Sequence, residues 1–224
     1  MVKVWVADIS PLLEQEFYED CKRRLPLWRR DKADRLKGGR AKAQSVGAWM
    51  LWMQVQREER LPQDAVFNLS HSGNYVMCAV SDKKDVQVGC DLEVYGEYRD
   101  KVARRFFCEE EYRYIIGREG KEERRIWFYR YWVLKESFLK ATRRGMGLDT
   151  RSFCVGRNRD GRPFLMRQPA QYPQTYYYQE YREESIPAGM AVCTTDPEID
   201  GRLYQVKIRA QGEEATVDAD IARC

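Results

Sequence analysis

The chain has 224 residues, of which 43% are hydrophobic and 12% aromatic, and this composition predicts a folded protein with one large domain or two small ones. No apolar run approaches the ~20 residues that cross a bilayer, and the first ten residues lack the basic-then-apolar pattern of a signal peptide. The net charge of +4 favours anionic partners, but it does not choose among nucleotides, acidic proteins and nucleic acid.

The first part of the chain predicts a strand, then helices, then strands. Val2 to Ala7 alternates apolar and polar residues as a strand does. Ser10 and Pro11 predict an N-cap and a first helical residue. A basic stretch follows, and a second helix is predicted around Trp49. Three short strands complete this part: Phe67 to Leu69, Tyr75 to Val80 and Val86 to Val94.

The second part repeats this order. Helical patterns run from about Arg99 to Ile116 and from about Glu122 to Arg143, and glycines at 145 and 147 end the second one. Further strands are then predicted: Ser152 to Gly156, Thr175 to Tyr181 and Ala188 to Thr194. The repeated order predicts an α+β fold with two similar halves. We place them at 1–98 and 99–210, followed by a polar tail at 211–224.

The cysteines bear on the redox environment. Seven of them are scattered along the chain with no CxxC pair, and there is a single histidine. This argues against a zinc site. We therefore expect reduced thiols in a cytoplasmic protein.

Two acids in a predicted strand form the first candidate site. Asp91 and Glu93 are two residues apart, so their side chains point to the same face of a strand. Carboxylates held so close repel each other unless a cation lies between them, and oxygen ligands suit magnesium. The alternative is the exposed face of an edge strand, and the pair alone favours that alternative.

The second candidate lies in the predicted helix that contains residues 132–140. Glu136 and Lys140 are one turn apart, on the side opposite to the main apolar stripe. That side also has aromatic residues such as Trp132, which is unusual for a solvent-facing surface. A lined site and a surface ion pair remain equally open for this segment.

The third candidate is the segment Phe67 to Gly73, in which the predicted strand Phe67 to Leu69 is followed by a predicted loop. Its hydroxyls, its histidine and its glycine could bind a phosphate together with backbone N–H groups. A polar hairpin loop is an equal alternative. The basic stretch from Arg29 to Lys42 could also bind phosphates, although a solvated helix face is the favoured interpretation when it is considered alone.

Taken in order, these segments resemble the 4′-phosphopantetheinyl transferases of the surfactin-synthetase-activating type. The matching segments are FNLSHSG at 67–73, GCDLE at 89–93, RRFFCEEEY at 104–112 and WVLKESFLK at 132–140. Weaker similarity is present at 145–153 and 190–197, so the resemblance extends from roughly residue 25 to 205. It implies an α+β fold of two halves related by a pseudo-two-fold.

The resemblance implies roles for the residues that match. The magnesium-binding acids match Asp91, Glu93 and Glu136. The contacts to coenzyme A match Ser70, His71 and Lys140 and, by approximate position, Arg29 and Lys32. The catalytic residues of the family correspond to Glu136, Lys140 and a further site acid, Glu111.

One feature of the family is missing. Members commonly have a Gly-Lys-Pro segment before the FNxSHS motif, and its lysine approaches the coenzyme phosphates. Here Glu58 to Pro62 runs almost directly into Phe67. Either another basic residue takes that role or the coenzyme end of the site is more open.

The implied activity is that of a holo-[carrier-protein] synthase. It moves the phosphopantetheine arm of coenzyme A to a serine of an acyl or peptidyl carrier protein, with Mg²⁺, and releases 3′,5′-ADP. We expect a monomer without nucleic-acid or membrane partners, and the pathway (fatty acid, polyketide or nonribosomal peptide) stays open. A magnesium-dependent nuclease is one alternative, which the four-residue spacing of Glu136 and Lys140 on a helix disfavours. A non-catalytic basic binding module is the other.

Overall fold

The computed structural model describes residues 1–143 and 147–209. The predicted helix stop at Gly145 and the predicted tail from 211 lie outside the described residues. No helix in the described part of the chain combines the length and apolar character needed to span a membrane.

The first half is built on a four-stranded sheet covered by three helices. In chain order its elements are β1 (Val2–Asp8), α1 (Gln15–Arg24), α2 (Leu27–Asp34), α3 (Gly39–Glu58), β2 (Val66–Ser72) and β3 (Tyr75–Ser81). The sheet has the order β2-β3-β1-β9, where β9 (Ile199–Gln205) is the last strand of the described chain. A short 3-10 helix, Ser10–Leu13, stands where the first helix was predicted to begin, and its N-cap is Ile9 rather than Ser10.

The second half is built on a three-stranded sheet and a long helix. Its elements are β4 (Val88–Val94), α4 (Asp100–Phe106), α5 (Glu109–Ile116), α6 (Gly120–Ala141), β5 (Cys154–Arg157), β6 (Pro163–Arg167), β7 (Tyr177–Tyr181) and β8 (Ala188–Thr194). The sheet has the order β4-β8-β7, while β5 and β6 form a separate two-stranded sheet.

The two halves share one topology, which confirms the predicted α+β fold. In each half a strand leads through helices into a hairpin, and the first strand pairs antiparallel with the second strand of that hairpin: β1 with β3, and β4 with β8. The strand β4 precedes the predicted boundary at 98 but belongs by pairing to the second half. We therefore propose that the halves divide in the segment 82–87, between β3 and β4.

The layers of the molecule follow from the alternation of side chains along these strands. Trp5 and Val76 point from the first sheet toward α3, whereas Val4 and Met77 point the other way into a core shared with Leu92 of the second sheet. The far side of the second sheet packs on α6. The order of layers is thus helices, sheet, sheet, helix, and each large apolar side chain buried between them contributes about 1.5–3 kcal/mol.

The cysteines differ from the expectation of reduced thiols throughout. Cys108 at the start of α5 and Cys154 in β5 form a disulfide, with their Cα atoms 6.0 Å apart. The other cysteines of the described ranges are free and buried: Cys21, Cys78, Cys90 and Cys193. The pairing joins residues 46 positions apart, a proximity that no local pattern in the sequence shows.

Candidate functional site

The strand β4 presents its two acids to helix α6. Cys90 and Leu92 point into the core between the sheets, so the alternate residues Asp91 and Glu93 point to the opposite face, toward α6. Gly89 allows this close approach, because a Cβ at that position would collide with the α6 backbone at Ser137 and Ala141. The two acids therefore share one face of β4, as their two-residue spacing predicts.

The strands β2 and β4 run side by side and are joined through side chains of β2. Asn68 Oδ1 accepts a hydrogen bond from the backbone N–H of Cys90 at 3.0 Å. Two residues further on, Ser70 Oγ accepts from Leu92 N, and Ser72 Oγ accepts from Val94 N, each at 3.2 Å. We call this row of contacts the β2–β4 seam. The seam provides hydrogen-bond acceptors for backbone N–H groups of β4 that would otherwise need the carbonyl groups of a neighbouring strand.

The same hydroxyls hold the two acids. Ser70 Oγ donates to Asp91 Oδ1 at 2.9 Å, and Ser72 Oγ donates to Glu93 Oε2 at 2.7 Å. Ser70 to Ser72 was predicted as a loop but is part of β2, and for this reason its hydroxyls keep the two-residue spacing of the acids. Sequence reasoning missed Asn68 and Ser72, although their spacing with Ser70 was visible.

Lys140 provides the positive charge on the helix side. Its Nζ donates to Asp91 Oδ1 at 2.6 Å and to Ser70 Oγ at 2.8 Å. Burial alone would lower the pKa of this ammonium, but the charge and hydrogen bond of Asp91 raise it above its usual value. The contact shows that the side of α6 with Glu136 and Lys140 faces the strand acids and is not a solvent-facing ion pair.

The acids fit a divalent cation. Asp91 is only 3% exposed, and its Oδ2 atom is buried without a hydrogen-bond partner. Burial and the nearby charge of Asp91 raise the pKa of both Glu93 and Glu136. Three carboxylates that repel one another, one of them with an unpaired buried oxygen, form an all-oxygen donor set of the kind that Mg²⁺ prefers.

The donor atoms of the three acids do not yet converge as closely as ligands on one ion. Among residues 1–143 and 147–209, the only group of three potential ligands with donor atoms all within 4.8 Å is Cys108, Glu110 and Cys154. In that group the two sulfurs are bonded to each other, which leaves Glu110 as the only donor. The acids Asp91 and Glu93 of β4 and Glu136 of α6 therefore remain the stronger candidate for a metal.

His71 lies on the other face of β2 from Ser70. Phe67 and Leu69 pack against the α3 side, and the alternation of the strand puts His71 on that same side. The ring is exposed. Partial removal from water lowers its pKa, and the positive charges of Lys140 and Lys32 lower it further.

Arg29 is not a free phosphate ligand, contrary to the prediction. It is 8% exposed, and its guanidinium carbon lies 4.4 Å from the ring centroid of Trp49 and 5.3 Å from that of Trp28. Its Nη2 donates to the carbonyl of Ser45 at 3.3 Å. The aromatic neighbours bury the charge, so Arg29 stabilises the contact between α2 and α3 and leaves Lys32 as the exposed basic residue there.

Glu111 also differs from the prediction, because it is separated from the other acids on the opposite side of α6. Its side chain has 0% exposure and pairs with Lys135 Nζ at 2.8 and 2.9 Å. The backbone N–H groups of Cys108 and Val155 donate to it at 3.0 and 2.7 Å. A carboxylate with all these partners and no solvent contact holds α5, α6 and β5 together. We therefore assign Glu111 a positioning role instead of a catalytic one.

Comparison with known proteins agrees with the motifs. Residues 87–194 match the family model described as the 4′-phosphopantetheinyl transferase superfamily. The chain is 34% identical over 135 residues to the 4′-phosphopantetheinyl transferase Sfp of Bacillus subtilis (strain 168), covering 60% of this chain and 57% of Sfp. It is 33% identical over 120 residues to the 4′-phosphopantetheinyl transferase gsp of Aneurinibacillus migulanus, covering 54% and 48%.

A solved structure is also similar. The holo-[acyl-carrier-protein] synthase (AcpS) of Thermotoga maritima is 22% identical, with a TM-score of 0.41 over 48% of this chain and 61% of that chain. The chain spans about half the length of the curated relatives it matches. The family match and these relatives confirm the resemblance of the chain to the 4′-phosphopantetheinyl transferase superfamily that was drawn from the motifs.

Proposed function

We propose that this protein transfers the 4′-phosphopantetheine arm of coenzyme A to a serine of an apo carrier protein. The observation that supports this most directly is the buried carboxylate of Asp91. It has one oxygen bound to Lys140 and one oxygen without a partner, and two further acids approach it. Such a site suits a divalent cation together with a phosphate ester, and the family of the chain makes phosphopantetheine transfer the reaction to test.

Asp91, Glu93 and Glu136 would hold the Mg²⁺. When bound, the ion would supply positive charge that offsets the charge developing on the phosphates. The carboxylates of this chain are prepared for that role, since Ser70 and Ser72 fix the orientation of Asp91 and Glu93 by hydrogen bonds. Held groups of this kind stabilise a transition state without having to reorganise during the reaction.

The proposed reaction is one displacement at phosphorus. The hydroxyl oxygen of the carrier serine forms a bond to the β-phosphorus of coenzyme A, and the bond from that phosphorus to the oxygen of 3′,5′-ADP breaks. The serine proton passes to Glu136 or to a water that Glu136 orients, which suits a carboxylate whose pKa is raised by burial. Lys140 would stabilise the charge on the leaving phosphate, and most of the acceleration comes from positioning and charge.

Ser70, His71 and Lys32 would bind the phosphates of the coenzyme. His71 and Lys32 are exposed on the α3 side of β2, whereas Ser70 is on the side of the acids. The phosphate groups would therefore extend from the acids around the edge of β2. Arg29 is not included, because its guanidinium is enclosed by Trp28 and Trp49.

The test is incubation of the purified protein with coenzyme A, Mg²⁺ and a panel of apo acyl and peptidyl carrier proteins, followed by mass spectrometry of the carriers. We expect a mass gain of one phosphopantetheine arm on the carrier serine, and loss of that gain when EDTA replaces Mg²⁺. The Glu136→Gln variant is the matched control, because it keeps the shape of the side chain. A panel with no modified carrier, while coenzyme A is left intact, would contradict the proposal.

A further inference from the structure

The most exposed aromatic surface of the described molecule is formed by Trp28 together with Trp49, and we call it the aromatic shelf. It lies beside the proposed phosphate contacts. Trp28, in the first turn of α2, is 57% exposed although it is a large aromatic residue. Its ring meets that of Trp49 edge-on, with centroids 5.0 Å apart, and the Arg29 guanidinium lies against both rings. One edge of the Trp28 indole is thus fixed by contacts while much of its surface is open to solvent.

The position of this shelf relative to His71 follows from the contacts of α3. Gln44 of α3 donates to the carbonyl of Gly73 at 3.0 Å, two residues beyond His71. Further along α3, Trp49 packs on Phe67, at the other end of the same strand, with centroids 5.9 Å apart. Helix α3 therefore lies along β2. Trp49 and its neighbour Trp28 are beside the Phe67 end of this strand, and His71 is toward its other end.

Helix α2 brings a phosphate contact and the shelf together. Lys32 follows Trp28 by four residues, so the two side chains project from the same side of α2, one turn apart. Arg29, the residue after Trp28, donates to the carbonyl of Ser45 at 3.3 Å, and Ser45 follows the Gln44 that reaches the His71 end of β2. An anion bound by Lys32 would thus have the Trp28 indole on the neighbouring turn of α2, about 5 Å along the helix axis from Lys32.

We infer that the Trp28 indole, held by Trp49 and Arg29, stacks against the adenine ring of coenzyme A. This inference rests on the proposed function and adds the contact that fixes the base of the nucleotide. Nucleobases stack on aromatic side chains, and an adjacent guanidinium adds to the attraction.

The test is calorimetric titration of the wild type and three variants with coenzyme A in the presence of Mg²⁺. Trp28→Ala removes the stacking surface, and we expect the Kd for coenzyme A to rise by about 5- to 150-fold, the range of lost base stacking. Trp28→Phe keeps an aromatic face and should change the Kd by less than about threefold. Leu27→Ala removes a neighbouring exposed side chain of the same helix and is the matched control, with an unchanged Kd.

A second readout does not depend on the stability of the alanine variant. Stacking on adenine should quench the emission of Trp28, so saturating coenzyme A should reduce the fluorescence of the wild type more than that of Trp28→Phe. Equal quenching in both, or an unchanged Kd in a folded Trp28→Ala variant, overturns the stacking role and leaves the proposed function standing. A wild type that does not bind coenzyme A at all refutes the proposed function, and the stacking role with it.

Discussion

The buried pair of Glu111 and Lys135 gives the sharpest test of which acids serve catalysis. Lys135→Met removes the ammonium but keeps a chain of similar length in the core. The carboxylate then loses two contacts of 2.8 and 2.9 Å in a region where the two side chains are 0% and 3% exposed. Breaking a buried pair in this way costs about 3–5 kcal/mol, because a charge remains without its partner.

That loss is large relative to the stability of the whole protein. The free energy of unfolding of a domain is about 5–15 kcal/mol in total. For a domain of 150–250 residues, each kcal/mol lost lowers the melting temperature by about 2–4 °C. We therefore expect Lys135→Met to lower Tm by roughly 6–20 °C in a circular-dichroism melt. The matched control is Arg113→Ala, which breaks an exposed ion pair between Arg113 and Glu109 within α5. It should leave Tm nearly unchanged.

The loss should also depend on pH. Burial raises the pKa of Glu111, and in Lys135→Met no ammonium opposes that effect. The folded variant then holds a proton at a pH where the unfolded chain has already released it, so stability falls as pH rises. We expect the deficit in Tm to be larger at pH 8 than at pH 5. Two results would refute this reasoning: an unchanged Tm for Lys135→Met, or a Glu111→Gln variant with wild-type Tm that has lost at least about 10²-fold in turnover.

Three further predictions concern the site itself. Asp91→Ala and Glu136→Gln should each lower phosphopantetheine transfer by at least ~10²-fold, measured by mass spectrometry of the carrier; near-normal transfer by either variant contradicts the metal assignment. His71→Ala should raise the apparent KM for coenzyme A with little effect on kcat, and a normal KM with an abolished kcat would exclude a phosphate contact. Gly89→Ala should destabilise the protein by about 1–3 kcal/mol in urea unfolding, because the new Cβ meets the α6 backbone; wild-type stability would mean that β4 and α6 separate without cost.

The sequence was sufficient for most helices and strands. The strand Val2 to Ala7, the strand Ala188 to Thr194 and the long helix up to Lys140 lie where they were predicted, because their apolar residues repeat with a clear period. The strands β6 and β9 were missed. In β9 neither face is fully buried, and in β6 the side chains of Phe164 and Met166 are exposed, so no alternation marks them.

The candidate site could be predicted in part. Spacing alone predicts that Asp91 and Glu93 share one face of a strand and that Glu136 and Lys140 share one side of a helix. Only the fold shows that the strand pair and the helix pair face each other. The unexpected surroundings of Arg29 and Glu111 have a common cause. Whether a charged side chain is free or already paired depends on partners distant in sequence, such as Trp49 for Arg29 and Lys135 for Glu111, and no local pattern contains that information.

The last described strand has a consequence for how a substrate can enter. After the second half is complete, β9 returns to the first sheet and pairs parallel with β1, and the N–H of Val2 donates to the carbonyl of Glu198 at 2.7 Å. The halves are therefore tied by the β3–β4 connection, by the β2–β4 seam and by this returning strand. Three connections of this kind oppose a hinge-like opening of the two halves. We expect coenzyme and carrier to bind without such an opening, so that turnover does not wait for the two halves to close.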